Sequence, residues 1–194
     1  MHIVSFPELA TPTELLFQVR ELQREAWPSY TFPAPGSGEP NHDPALAPLS
    51  MLLLVDDDIV VAALDILSKE IMHHGQRYRA AGLSTVVTRK AARGRGHGRM
   101  LITAARTAMA DAGFDIGLFT CDRPLQAFYE SGGWQLLPGT VLIGGTPEEP
   151  FPSDQPGFDK VTMADFFSAT SRQHRPSFHH ARIKLYPGLI DKLW

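Results

Sequence analysis

Six residues, Arg93-Gly94-Arg95-Gly96-His97-Gly98, separate a β-branched run at 84–88 from an apolar stretch at 99–109. The run before them has the composition of a strand. The stretch after them repeats apolar residues as a helix does, with Leu101, Ala105, Ala108 and Ala112 on one face and Gly113 as the stop. A strand that must turn at once into a helix needs glycine, because only a residue without Cβ enters positive φ freely. The first turn of the helix then presents unpaired N–H groups and the positive end of its dipole. With Arg93, Arg95 and Arg99 around the same point, the expected guest is a diphosphate.

The glycine spacing narrows the choice of guest. The dinucleotide pattern G-x-G-x-x-G and the P-loop pattern G-x-x-x-x-G-K-[ST] are both absent, since Gly94, Gly96 and Gly98 alternate and no Lys-Ser/Thr follows. The pattern present is R-x-x-G-x-G, on Arg93, Gly96 and Gly98. A basic glycine-rich surface turn is the plainer alternative for so short a segment.

The remainder of the chain reads as alternating strands and helices. A first strand is expected at 2–6, then a helix with Thr11 as cap, Pro12 at its first position and Glu14 closing a capping box. Leu15, Val19, Leu22 and Ala26 mark its buried face, and Pro28 ends it. Residues 27–48 shift to Pro, Gly, Ser and Asn, which predicts either a floppy insertion or a lid; as a lid, it would turn Glu39, His42 and Asp43 towards a cationic substrate. Strands at 51–55 and 59–66, the second continuing towards Ile71, flank an acidic turn, Asp56-Asp57-Asp58, read as solvated rather than metal-binding. His73 and His74 fall in the next turn, and a strand returns at 78–88. Beyond the helix come a strand at 114–120, a short helix at 125–130 capped by Asp122 and closed by Gly132 and Gly133, and a strand at 134–143 broken near Pro138-Gly139. A strand at 160–166, a polar tail at 171–177, a further strand at 180–186 and a terminal segment at 189–194 complete the reading.

At 194 residues the chain suits one domain, 1–194, able to bury about 70% of its unfolded surface. A net charge of −3 leaves no basic excess for nucleic acid. The single cysteine, Cys121, excludes an internal disulfide. No apolar run is long enough to span a bilayer and no signal peptide is recognisable, so a cytoplasmic location without membrane partners is expected. Oligomeric state stays open, a homodimer included.

A second motif gives the first its meaning. Phe128-Tyr129-Glu130-Ser131-Gly132-Gly133-Trp134 is similar to the F-Y-x-x-x-G-[FW] segment that follows the coenzyme-binding core of the GNAT N-acetyltransferases, and R-x-x-G-x-G resembles their acyl-coenzyme A signature. The resemblance covers 80–141. A looser similarity to the aminoglycoside 2'-N-acetyltransferases runs through Gly133-Trp134, Thr140-Val141-Leu142 and the terminal Trp194, and the nodulation acyltransferases are of similar size.

The resemblance implies an α/β GNAT fold, a mixed, twisted sheet with helices on both faces. It implies acetyl-coenzyme A as acyl donor and a small-molecule amine as acceptor, joined by direct attack through a tetrahedral intermediate. The strand ending at Thr88 would splay from its neighbour at 116–120, freeing the backbone of Val86, Val87 and Thr88 to pair with the pantetheine arm, and Arg93, Gly94, Arg95, Gly96, His97, Gly98 and Arg99 would hold the diphosphate. Tyr129 stands where the family places the acid that protonates the departing thiolate. The family's aminoglycoside branch carries a glutamate base on the preceding strand; the matching residue here is Ser84, whose hydroxyl can hold a water but is too weak a base to replace it. Asp43, His73, His74, Asp191 and the carboxylate of Trp194 are candidate substitutes, with Asp43, Thr120, Asp191 and Trp194 expected on the acceptor side. The missing glutamate leaves two other readings: a non-catalytic acyl-coenzyme A sensor, or a transferase of longer acyl chains.

Overall fold

Alternation of apolar residues along the second strand decides which helix covers which face. In the computed structural model, which describes residues 1–56 and 58–186, Leu52 and Leu54 pack with Val19 and Leu22 of the first helix. Met51 and Leu53 join the other core, with Leu101, Ile102, Ala105 and Met109 of the helix after the glycine loop. Successive strand residues point to opposite faces, so the two helices lie on opposite sides of the sheet.

The elements follow as β1 (His2–Pro7), α1 (Thr13–Ala26), β2 (Leu49–Val55), β3 (Ile59–His73), β4 (Gln76–Thr88), α2 (His97–Asp111), β5 (Ile116–Asp122), α3 (Gln126–Ser131), β6 (Gln135–Leu136), β7 (Val141–Gly145), β8 (Pro150–Pro152), β9 (Lys160–Phe166), α4 (Ala169–His174) and β10 (Arg182–Lys184). One sheet has the order β1-β2-β3-β4-β5-β9-β6. Its β4–β5 pair is parallel and the others antiparallel, so the sheet is mixed, as expected. A smaller sheet, β10-β7-β8, shares the larger core through Leu142, Ile183 and Leu185. The break expected near Pro138-Gly139 is thus a change of sheet: β6 pairs with β9, and β7 leaves to pair with β8 and β10.

Several local expectations are corrected. Thr11 does not cap α1. Its N–H closes the preceding 3₁₀ turn on Glu8, its hydroxyl is buried without a partner, and the helix starts at Thr13 with Pro12 in the cap position. The residue before a proline is held extended, which keeps Thr11 out of the helix. Asp122 likewise makes no cap; its carboxylate meets Lys160 Nζ at 2.7 Å. The expected polar tail contains α4, capped by Ser168 Oγ accepting from the Ser171 N–H at 3.1 Å.

Residues 27–48 are not a floppy insertion. Phe32, His42 and Leu46 are buried. The Asn41 and His42 N–H groups donate to the buried Glu8 carboxylate, at 2.7 and 3.3 Å. Asp43 accepts from the Ala45 N–H at 2.8 Å, capping a 3₁₀ turn at Pro44–Leu46. A long connection keeps a fixed path only when its backbone groups find such partners.

Candidate active site

The site is built where two neighbouring strands separate. β4 and β5 pair only at Ala80–Ile116 and Ala81–Gly117, although β4 continues to Thr88 and β5 to Asp122. The splay expected between them is present. On its other side β4 pairs with β3, and there the register slips: Ala63 faces Val87 and Asp65 faces Ser84. β4 therefore holds one residue more than β3 across this interval, a bulge at Thr85–Val86. Thr85 has φ of +48°, a rare conformation for a β-branched residue.

The glycine loop closes one end of the splay. After a 3₁₀ turn at Lys90–Ala92, Gly94 and Gly96 take φ of +76° and +82°, and Gly96 is the cap residue of α2. No side chain caps this helix, so the N–H groups of its first turn face outwards unpaired by any cap. Gly98 is needed for a different reason: a Cβ there would meet Thr88 Oγ1 at 2.9 Å and the Phe128 ring at 3.1 Å. Small size at 98 lets the start of α2 lie directly against β4 and α3.

A cavity of about 510 Å³ lies along β4 beyond its last pairing with β5. It is lined by Val86, Val87, Thr88, Arg93, Gly94, Gly96, His97, Gly98 and Arg99, and by Leu125, Phe128 and Tyr129. Of the expected diphosphate ligands only Arg95 stays off the cavity wall, exposed to solvent. Arg93 Nε donates to the Thr88 carbonyl at 3.1 Å, which ties the loop to the strand end. The Nδ1 of His97 is buried with no partner in the protein. Bare helix N–H groups, that nitrogen and the flanking guanidinium groups suit an anionic ligand, and the unpaired reach of β4 suits an amide-bearing chain.

Tyr129 lines the same cavity and is buried, its ring edge-on to Phe119 at 4.9 Å and to Phe128 at 5.0 Å. Burial, with lesser help from Cys121 and Asp122, raises the phenol above its ordinary value. It therefore stays protonated at neutral pH. The Cys121 thiol is pushed up to about 12, chiefly by burial, and is no thiolate.

The acceptor-side expectations fare differently. Ser84 is half-buried and lies opposite Asp65 in the register, outside the wall of this cavity. Thr120 is half-buried on β5 opposite Thr162, and it and the capping Asp43 are also off that wall. His73 Nε2 donates to the Ser177 carbonyl at 2.9 Å, and with His74 the residue lines a separate surface hollow beside Arg182 and Lys184. Asp191 and Trp194 lie outside the described residues, as does Asp57 of the acidic turn. Among the described residues no three His, Cys, Asp or Glu gather as they would around a metal ion.

The His42 ring is buried against Asp65. Asp65, in β3, is the residue that sequence reasoning missed. Its Oδ2 lies 3.2 Å from His42 Nε2 and accepts from Thr85 Oγ1 at 2.5 Å, while its Oδ1 accepts from Ser50 Oγ at 2.5 Å. Burial raises the carboxyl, but the hydrogen bond and charge of His42, with Ser50 and Thr85, outweigh it and hold Asp65 below the usual carboxylate range. Ala26, Ala92 and Leu125 are further wall residues with no motif to mark them.

The model of the acetyltransferase (GNAT) domain matches residues 11–137. This chain belongs to the GNAT acetyltransferase family. The GNAT fold also appears in solved structures: Escherichia coli ElaA, at 17% identity and a TM-score of 0.56, is covered over 99% of its length by 84% of this chain. An acyl-CoA N-acyltransferase from Pseudomonas aeruginosa, at 18% identity and a TM-score of 0.54, is covered to the same extent. At such identities these likenesses speak for the fold. No curated protein sequence matches the chain. GNAT membership brings acyl transfer from an acyl-coenzyme A donor as the class of chemistry. Among the described residues no helix is long and apolar enough to cross a membrane.

Proposed function

We propose that this GNAT protein, a single domain over 1–194, is an acetyl-coenzyme A-dependent N-acetyltransferase acting on a small, cationic amine in the cytoplasm. The observation that carries the reading is the cavity along the unpaired end of β4, lined both by an uncapped helix start and by a protonated, buried Tyr129.

Each group then has a task. The first-turn N–H groups of α2, with Arg93, His97 and Arg99, hold the diphosphate. The free backbone of Val86–Thr88 lies along the pantetheine amides as an added strand. A neutral amine attacks the thioester carbonyl, and the N–H near Val86 donates to the oxygen on which charge develops. Tyr129 gives its proton to the departing thiolate. Ser84 holds a water that relays the proton lost by the amine to bulk solvent. Thr120, on the strand flanking the splay, belongs to the acceptor side. Aminoglycosides are one candidate among cationic acceptors, suggested only by the loose similarity at 133–142.

The test is a panel of amines with acetyl-coenzyme A, following free thiol. Amine-dependent release supports the proposal; coenzyme binding with no release from any amine replaces it with the sensor reading. Faster release from long-chain thioesters than from acetyl-coenzyme A assigns the longer-chain reading.

A further inference from the structure

The bulge in β4 raises a question of energy. A β-branched residue at positive φ is strained and persists only when its surroundings over-determine it. At Thr85 those surroundings are specific. The hydroxyl of Thr85 donates to Asp65 Oδ2 at 2.5 Å, and Asp65 is held in place by Ser50 from β2 and His42 from the 27–48 loop. Asp65 is 4% exposed, and each of its oxygens already has a protein partner. It is therefore badly placed to take a proton from an amine and well placed to fix its neighbours. The neighbour that matters is Val86, next in the chain after Thr85 and a wall residue of the cavity. The β3–β4 register passes over both Thr85 and Val86, so pairing does not set the direction of the Val86 peptide.

We infer that Asp65 is a positioning residue for acyl transfer: by gripping the Thr85 hydroxyl it holds the bulge at positive φ and so aims the Val86 N–H at the reacting carbonyl. The inference rests on the proposed acetyltransferase reading for its kinetic consequence, but not for its structural one. The grip also explains an asymmetry. Ser50 meets Oδ1, whereas Thr85 and His42 share Oδ2, so removing Ser50 leaves the contact with the bulge intact.

The experiment compares the wild type with Asp65→Asn, Ser50→Ala, Thr85→Gly and the Asp65→Asn/Thr85→Gly double variant. It measures kcat and KM for thiol release with acetyl-coenzyme A and the best amine, the coenzyme A Kd by calorimetry, and the Val86 amide resonance of the free protein. Misplacing a reacting geometry by about 1 Å costs roughly 100-fold, so Asp65→Asn should lower kcat by about that factor with Kd little changed. Glycine takes positive φ without help, so in the Thr85→Gly background the same change should cost less than about 10-fold. Ser50→Ala should lower kcat far less than Asp65→Asn does, which separates positioning from loss of packing. An equal kcat loss from Asp65→Asn in both backgrounds, or from Ser50→Ala and Asp65→Asn alike, overturns the inference. If the wild type releases no thiol with any amine, the acetyltransferase reading fails and the amide decides this one. A Val86 resonance that moves between the wild type and Asp65→Asn but not between Thr85→Gly and the double variant upholds it; a resonance unmoved by Asp65→Asn, or moved equally in both backgrounds, defeats it.

Discussion

Gly98 and Thr88 approach so closely that a single added methyl group at 98 would stand 2.9 Å from the Thr88 hydroxyl oxygen. The contact joins the first turn of the helix behind the glycine loop to the last residue of β4, the two parts that must meet the ligand together. Gly98→Ala should push them apart. Overpacking of this kind costs about 1–3 kcal/mol, and thermal unfolding should show it. Calorimetry should show coenzyme A binding weakened as well. A variant that binds coenzyme A as tightly as the wild type would detach the glycine from the ligand site.

Tyr129→Phe should fold normally, since the ring contacts with Phe119 and Phe128 survive. Loss of a general acid typically costs 10²–10⁴-fold, so kcat should fall by about that range while the coenzyme A Kd holds. The pH dependence follows from the direction of the shift. A phenol raised above its ordinary pKa of about 10 keeps its proton further into the alkaline range, so the Tyr129 limb of the wild-type profile should lie above pH ~10. An alkaline limb near neutrality that vanishes in the variant would contradict the assignment.

The depressed carboxyl of Asp65 makes stability depend on acid. A folded-state pKa below the unfolded value of about 3.9 stabilises the protein above that value, and the gain is lost as pH falls through the folded pKa. Unfolding of the wild type and Asp65→Asn, compared from pH 7 downwards, should therefore show the widest gap near neutrality and a narrowing one below pH ~4. A gap that stays constant to pH ~2 would mean that the carboxylate charge contributes nothing.

Glu8 and Arg20 form a buried pair at 3.4 Å, with both side chains nearly inaccessible, and Glu8 also receives the Asn41 and His42 N–H groups. Breaking one side of a buried pair costs about 3–5 kcal/mol. Glu8→Ala should lose stability on that scale in urea and, under limited proteolysis, be cut within 27–48 sooner than elsewhere. Intact protein with unchanged cleavage would show that the loop is held by Phe32 and Leu46 instead.

What could be read from the chain and what could not divide along a physical line. The loop at 93–98, the helix after it and the strand Lys160–Phe166 are local: composition and spacing within a few residues define them, and they lie where expected. The splay was expected through the family resemblance, not from pattern. The Asp65 cluster was invisible because its members, His42, Ser50, Asp65 and Thr85, are far apart in sequence and meet only through strand register and a buried loop. Nothing in the spacing of Asp65 distinguishes it from a charge on an exposed strand. Helix α4 was missed because its residues are polar and its anchor is a single hydroxyl, Ser171 Oγ donating to the Asp115 carbonyl at 2.6 Å.

The seat of β9 between β5 and β6 bears on how the protein is made. Residues 160–166 supply the antiparallel partner for every position of β5, which β4 meets at only two. As the chain leaves the ribosome, the strand carrying one side of the splay therefore waits with a bare edge until this late segment emerges. The match at 11–137 does not coincide with a unit of folding, and a fragment cut there should aggregate rather than stand alone.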